Sequence, residues 1–247
     1  MGMLLRTLAA EALKLKRTLA LWMVLCAPMV IVVFAFIVAL NSATLVTQPF
    51  EVWKGLVSAS AGVWAVFMLP LFITLETALM NGIEHNARSW KHIYSLPISG
   101  WAVYAAKTIT ALSLVALSSV VLGGGTILSG ILLELLKPAK IIKAPIPWQS
   151  LSKTLLLIYL AALFIIAIHT WVSMRWSSFA LAIGVGVVGT FFTLFASGAS
   201  FGKYYPWLLP LNVNTAERQV IALILGIAGG LLVTFIGCWH VTRRDVL

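Results

Sequence analysis

Six apolar runs, separated by polar breaks, constrain the fold of this 247-residue chain more than any other feature. We predict spans at about 19–40, 58–80, 104–133, 152–174, 178–200 and 219–241. A helix needs about 20 apolar residues to cross about 30 Å of hydrocarbon, so each run is long enough to span a membrane. Charged residues make up only 10% of the chain, against about 25% in a soluble domain. The sequence therefore predicts an all-α integral membrane protein, with residues 1–247 forming one transmembrane domain.

The distribution of charge and tryptophan gives the chain an orientation. An even number of spans places both termini on one side, and 10 of the 17 basic residues would lie there, which favours cytoplasmic termini. Basic residues scattered between spans act as topology determinants, so the net charge of +10 does not indicate nucleic-acid binding. Trp64 is expected to pack inside the bundle. Eight tryptophans are expected in the interfacial belts: Trp22, Trp53, Trp101, Trp148, Trp171, Trp176, Trp207 and Trp239.

The segment ahead of the first span has a helical pattern. Residues 3–18 place Leu4, Leu8, Ala12 and Leu15 on one stripe, which basic residues avoid. This pattern predicts an amphipathic helix that lies in the membrane interface.

Two of the later breaks are less regular. Residues 201–217 are apolar and aromatic, yet Pro206 and Pro210 interrupt any long helix, which predicts short re-entrant helices shielded by protein. The lysine-rich 134–153 loop has no role that we can assign.

In the last span Gly226 and Gly230 have GxxxG spacing, which suits close helix packing either between subunits or within one chain.

The most informative break is residues 81–103, NGIEHNARSWKHIYSLPISGWAV, between the second and third spans. Charged, polar and aromatic side chains are concentrated there, and a proline at Leu96-Pro97 and a turn pair at Ser99-Gly100 close it. We predict a short helix across a membrane face that contacts a water-soluble partner.

Glu76 and His169 are the polar residues inside predicted spans that we consider as functional candidates. Glu76 would pair with Lys107 or Arg175, or alternatively extend its carboxylate to the headgroup zone. It would share a helix face with Glu84 if the second span continued that far. His169 in the fourth span is more typical of a hydrogen-bonded packing residue than of a ligand.

The sequence lacks the motifs that would predict a nucleotide site, a catalytic nucleophile or a metal site. No G-x-x-x-x-G-K-[ST] occurs, so we expect no nucleotide site, and no nucleophile elbow supports an enzyme. His85 and His92 stand seven residues apart beside Glu84, but without a cysteine or an H-E-x-x-H motif they do not predict a metal site. We expect no cofactor in this chain.

The order of four segments resembles the ABC-2-type transporter permeases, in particular the small subunits of bacitracin and lantibiotic immunity exporters. These segments are EALKLKRTLALW (11–22), ETALMNGIEHNARSWKHIYSLPISGWAVYAAK (76–107), PWLLPLN (206–212) and RRDV (243–246). The resemblance implies a bacterial cell-membrane subunit that pairs with a cytoplasmic ATPase carrying ATP and Mg²⁺, and with a second permease subunit, identical or paralogous. It further implies that the 81–103 break holds a cytoplasmic coupling helix. The predicted contact residues of this helix with the ATPase are Glu84, His85, Asn86, Arg88, Trp90 and Lys91.

The expected activity is therefore ATP-driven export of a hydrophobic or amphipathic cargo, such as an antimicrobial peptide. The alternative is an ATP-independent secondary transporter that uses Glu76 and His169 as a proton relay. Few ionisable groups and no evident inverted repeat weigh against this alternative.

Overall fold

A computed structural model describes residues 2–16, 18–41, 49–87, 98–137 and 145–243, without the side chains of residues 49–51. Helices make up 90% of the structure, and no strand occurs in these ranges. Six described helices are long and apolar enough to cross a membrane, as predicted. They are α2 (Leu19–Asn41), α3 (Val52–Asn86), α4 (Gly100–Leu136), α5 (Trp148–Arg175), α6 (Phe179–Ala196) and α8 (Ala216–Thr242).

Two π-helical turns widen the long helices. The helix containing α3 is built from Pro49–Val63, a π-helical turn at Trp64–Met68, and Leu69–Asn86. Pro70 lacks the N–H that would close the preceding turn, which accounts for the wider turn there. The turn in α8 lies at Leu225–Gly229. Trp64 is 0% exposed, which confirms that it packs inside the bundle.

The helices bury a continuous apolar core and leave apolar surface outside. Leu69 and Phe72 of α3 pack in this core with Val115 of α4 and Ile165 of α5. On the outside, large side chains such as Phe235 remain exposed, as expected for helices surrounded by lipid.

The first helix, α1 (Met3–Leu15), packs against α4 through a face that shares only Leu15 with the predicted stripe. Its buried residues are Thr7, Glu11 and Leu15, whereas Ala12 is exposed. The inward face is polar because Glu11 has charged partners inside the protein. The start of α4 also contacts the end of α8, where Gly100 lies against Thr242. The first and last described helices therefore both contact the start of α4, at one end of the bundle.

The predicted re-entrant segment folds into short helices that return into the bundle. Two 3₁₀ turns, Ser200–Tyr204 and Pro206–Leu208, precede α7 (Leu209–Asn212). The hydroxyl of Tyr205 donates to the carbonyl of Gly189 within α6, at 2.8 Å. Since Gly189 lies one residue beyond the middle of α6, the segment packs along the helices rather than over their ends. Its depth in a bilayer stays a prediction.

The GxxxG pair of α8 packs against α5 of the same chain. A side chain at Gly226 would come within 2.6 Å of the backbone at Leu160 and Ala161, and one at Gly230 within 3.0 Å of the Leu163 backbone. The spacing is therefore explained by intramolecular packing.

Candidate functional site

Four charged side chains form a closed ring at the end of the bundle that carries the 81–103 break. We call Glu11, Lys14, Glu84 and Lys107 the charge ring. Lys14 Nζ lies 2.7 Å from Glu11 Oε1 and 2.7 Å from Glu84 Oε1. Lys107 Nζ lies 3.0 Å from Glu11 Oε2 and 3.0 Å from Glu84 Oε2. Each carboxylate thus bridges both ammonium groups, and the formal charges cancel.

The ring is buried on all sides except at Lys14. The side chains of Lys107, Glu84 and Glu11 are 0%, 1% and 3% exposed, and that of Lys14 is 32% exposed. Burial would lower the pKa of Lys14, but its hydrogen bonds to Glu11 and Glu84 outweigh this effect and raise it. Lys14 therefore remains charged at neutral pH. Buried charges are tolerated when each one is paired in this way.

The ring joins three elements that are distant in sequence. Glu11 and Lys14 lie one helical turn apart on α1, Glu84 lies near the end of α3, and Lys107 lies two turns into α4. Glu84 thus lies within the first turn of the 81–103 break, and Lys107 lies four residues beyond its end. Any displacement of the break would be transmitted to both spans and to α1 through charge-assisted hydrogen bonds.

The predicted contact residues are not all at the surface. Glu84 is 1% exposed, so its side chain is held in the ring and is not available to a soluble partner in this arrangement. His85 Nε2 lies 3.0 Å from the carbonyl oxygen of Ser173. Asn86 is exposed. The remaining predicted contacts, Arg88, Trp90 and Lys91, lie outside the described residues.

Glu76 has neither of its predicted partners. Lys107 belongs to the ring, and the guanidinium of Arg175 lies over the ring of Trp176 at 5.5 Å. Glu76 is 0% exposed, so it does not extend to the surface either. Both of its carboxylate oxygens lack a hydrogen-bond partner among the described residues. Pairing and surface extension were therefore wrong expectations, because the carboxylate is buried without either partner on the core-facing side of α3.

His169 belongs to a hydrogen-bonded contact between α3 and α5. Its Nε2 lies 3.3 Å from Thr74 Oγ1, and its ring meets the Trp207 ring edge-on at 5.8 Å between centroids. Further along the same contact, Asn81 Nδ2 donates to Ser173 Oγ at 2.7 Å. Among the described residues, no hydrogen bond links His169 to Glu76, so the two do not form a connected relay in this arrangement.

Gly186 of α6 gives a test of this contact, because a side chain there would overlap Thr74. We expect Gly186→Leu to displace Thr74 from His169 and to destabilise the protein by about 1–3 kcal/mol, the usual cost of overpacking. Gly184→Leu is the matched control, since nothing lies within 4 Å of that position. Thermal unfolding of both variants in detergent checks the prediction. Equal melting temperatures would contradict it.

Comparison with known proteins identifies the family. Residues 7–193, more than half of the chain, match the family model of the ABC-2 family transporter protein. The chain belongs to the ABC-2 transporter family. It is a multi-pass membrane transport component, and ABC-2 permeases generally work with an ATP-binding subunit in a lipid bilayer. The comparisons with curated proteins and with solved structures gave no match.

The region matched to the ABC-2 family contains the whole charge ring, from Glu11 to Lys107. The charge ring was not predicted from the sequence. Glu11 and Lys14 read as part of a basic amphipathic helix, and Lys107 was considered only for Glu76. One signal was present: Glu11 and Lys14 stand three apart, and Glu84 and Lys107 lie near the ends of consecutive spans.

Proposed function

We propose that this chain is the membrane-spanning subunit of an ATP-driven ABC exporter in the bacterial cell membrane, with both termini cytoplasmic. A separate cytoplasmic subunit would bind ATP and Mg²⁺. The observation that carries the proposal is the charge ring, which links Glu84 in the 81–103 break and Lys107 just beyond it to α1. Movement imposed on the break by a partner would then reach two spans together.

The transport path would lie between this chain and a second permease subunit, either identical or paralogous. ATP binding by the partner would shift the pair from an inward-open to an outward-open state. The described spans present apolar rather than charged outer surfaces, which suits a hydrophobic or amphipathic cargo. An antimicrobial peptide is the cargo we favour, because the four quoted segments resemble those of the bacitracin and lantibiotic immunity exporters.

The proposed contact with the ATPase consists of Asn86 with Arg88, Trp90 and Lys91. Trp90 would provide an apolar anchor, and the two cations would pair with acidic groups of the partner. We expect the chain to co-purify with an ATPase and to stimulate its hydrolysis of ATP.

Replacing Arg88 and Trp90 together by alanine should uncouple ATP hydrolysis from transport while the protein remains folded. The reason is that the ATPase would lose its proposed contact with the break, whereas no residue of the described core is replaced. Trp148→Ala with Lys153→Ala is the matched control, since it removes an exposed tryptophan and an exposed lysine at the opposite end of the bundle. Transport and ATP hydrolysis are measured in the same proteoliposomes. Normal transport in the Arg88 and Trp90 double variant would refute the proposed contact.

The orientation is tested with a single cysteine at Ala87, which is exposed within the break. The two native cysteines, Cys26 and Cys238, are first replaced by alanine. A membrane-impermeant thiol reagent should label Ala87→Cys only after the cells are permeabilised. It should label Ser150→Cys, which is exposed at the other end of the bundle, in intact cells. The reverse pattern would overturn the proposed topology and the role of the break.

A further inference from the structure

Glu76 is a buried acid that the proposed exporter mechanism does not use. It is 0% exposed, and neither carboxylate oxygen has a hydrogen-bond partner among the described residues. It lies on the same side of α3 as Leu69, Ile73 and Met80, which belong to the apolar core. The side chain is therefore buried on the face of α3 that packs into the apolar core.

No ionisable group in the described residues neutralises Glu76. Helix α3 packs against α2, α4, α5 and α6. On α4, Lys107 is held by the two carboxylates of the charge ring. On α5, His169 contacts Thr74, and the hydroxyl of Tyr159 donates to the carbonyl of Leu112. On α2, Cys26 is exposed. The described part of α6 has no ionisable side chain.

The charge ring is also too distant to serve as a counter-ion. Glu84 lies eight residues beyond Glu76 on a continuous helix, which corresponds to about 12 Å along its axis. The four charges of the ring cancel one another, so its net field at Glu76 is weak. Burying an isolated ionised carboxylate in such surroundings is strongly unfavourable, and the usual outcome is that the group takes up a proton.

We propose that Glu76 is a proton-binding site in the core of the bundle. It is occupied while the helices have the packing described here, and it releases its proton when a rearrangement of the helices admits water to the core. The proton is the ligand, and the helices that pack against α3 determine its occupancy. This proposal is independent of the identity of the partner that drives the transporter.

A hydrophobic carbodiimide tests the proposal, because such reagents enter lipid and react with un-ionised carboxylic acids. The acid transfers its proton to a nitrogen of N,N′-dicyclohexylcarbodiimide, and the carboxylate oxygen bonds to the central carbon. Acyl migration from oxygen to nitrogen then gives a stable N-acylurea. The whole reagent is added and no group leaves, so the peptide that contains Glu76 gains the full mass of the reagent.

The experiment uses the full chain in lipid vesicles at pH 7, followed by peptide mass spectrometry. We expect Glu76 to be labelled about a hundredfold more than Glu217, an exposed glutamate of α8. An ordinary glutamate in water is un-ionised in only about one molecule in 500 at this pH. Glu76→Gln should abolish the main adduct, and Glu217→Gln should leave it unchanged. Labelling confined to Glu11 and Glu84 would overturn the proposal.

Infrared spectroscopy supplies a measurement that does not depend on access of the reagent. The difference spectrum between the unmodified protein and Glu76→Gln should contain the carbonyl stretch of an un-ionised carboxylic acid. Glutamine is close in shape to the neutral acid, so the variant should fold and run as a monodisperse species. A carboxylate band in place of the acid band would refute the proposal whatever the labelling result.

Discussion

Replacing Lys107 by methionine is expected to destabilise the protein by about 3–5 kcal/mol, the usual cost of removing one partner from a buried ion pair. Lys107 is 0% exposed and holds one oxygen of Glu11 and one of Glu84. Without it, two buried carboxylates share the half-buried Lys14. The melting temperature in detergent should fall by roughly 6–20 °C for a chain of this size.

Three further variants distinguish the effect on stability of disrupting the charge ring from the effect of removing any lysine. Lys14→Met should cost less, because Lys14 is 32% exposed and water screens its interactions. Lys153→Met, at an exposed position on α5, should have almost no effect. Adding Glu84→Gln to Lys107→Met should restore part of the loss, since the remaining Glu11 and Lys14 form a balanced pair. Additive losses in the double variant would show that the ring is not one energetic unit.

Replacing Gly226 by leucine is expected to separate α8 from α5. A Cβ at this position would lie 2.6 Å from both Ala161 Cα and the Leu160 carbonyl oxygen. Because these atoms are backbone, they cannot rotate away as a side chain could, and the helix axes must move apart. We expect a loss of at least the 1–3 kcal/mol typical of overpacking. Size-exclusion chromatography and thermal unfolding would report the loss of compact, folded protein.

Gly124→Leu is the matched control for Gly226→Leu. Gly124 also lies within a long helix, but nothing is within 4 Å of its missing side chain. We expect Gly124→Leu to fold normally. Gly226→Ala should give a smaller loss than Gly226→Leu, which keeps the prediction measurable if the leucine variant does not fold. A melting temperature for Gly226→Ala equal to that of Gly124→Ala would show that the contact with α5 is not tight.

The span count and helical class could be predicted from sequence because they depend on local hydropathy. Each apolar run is long enough to identify a span without knowledge of its neighbours. The rotation of a helix about its axis depends on the helices that pack against it and cannot be predicted from local hydropathy. Trp53 illustrates this: its position near a span end predicted an interfacial side chain, yet it is 2% exposed and packs on Gly130 of α4.

The charge ring could not be predicted for a related reason. Glu11 and Lys107 are 96 positions apart, and their pairing requires α1 to pack against the first turns of α4. For Glu76 the sequence suggested Lys107 or Arg175 as a partner. In the structure, Lys107 pairs within the charge ring and Arg175 lies over the ring of Trp176. Because the rotation of the last helix about its axis could not be predicted, the sequence did not show whether Gly226 and Gly230 pack between two subunits or within one chain.

The unbroken length of α4 has a mechanical consequence. Its 37 residues form a rod of about 55 Å, with Lys107 in the charge ring near one end and Gly130 against Trp53 near the other. A rod of this length that pivots by about 10° around its centre moves each tip by about 5 Å. Gly130 lies about 18 Å from that centre, so a tilt of this size applied at the charge ring would shift its contact with Trp53 by about 3 Å, with no change in the shape of the helix itself.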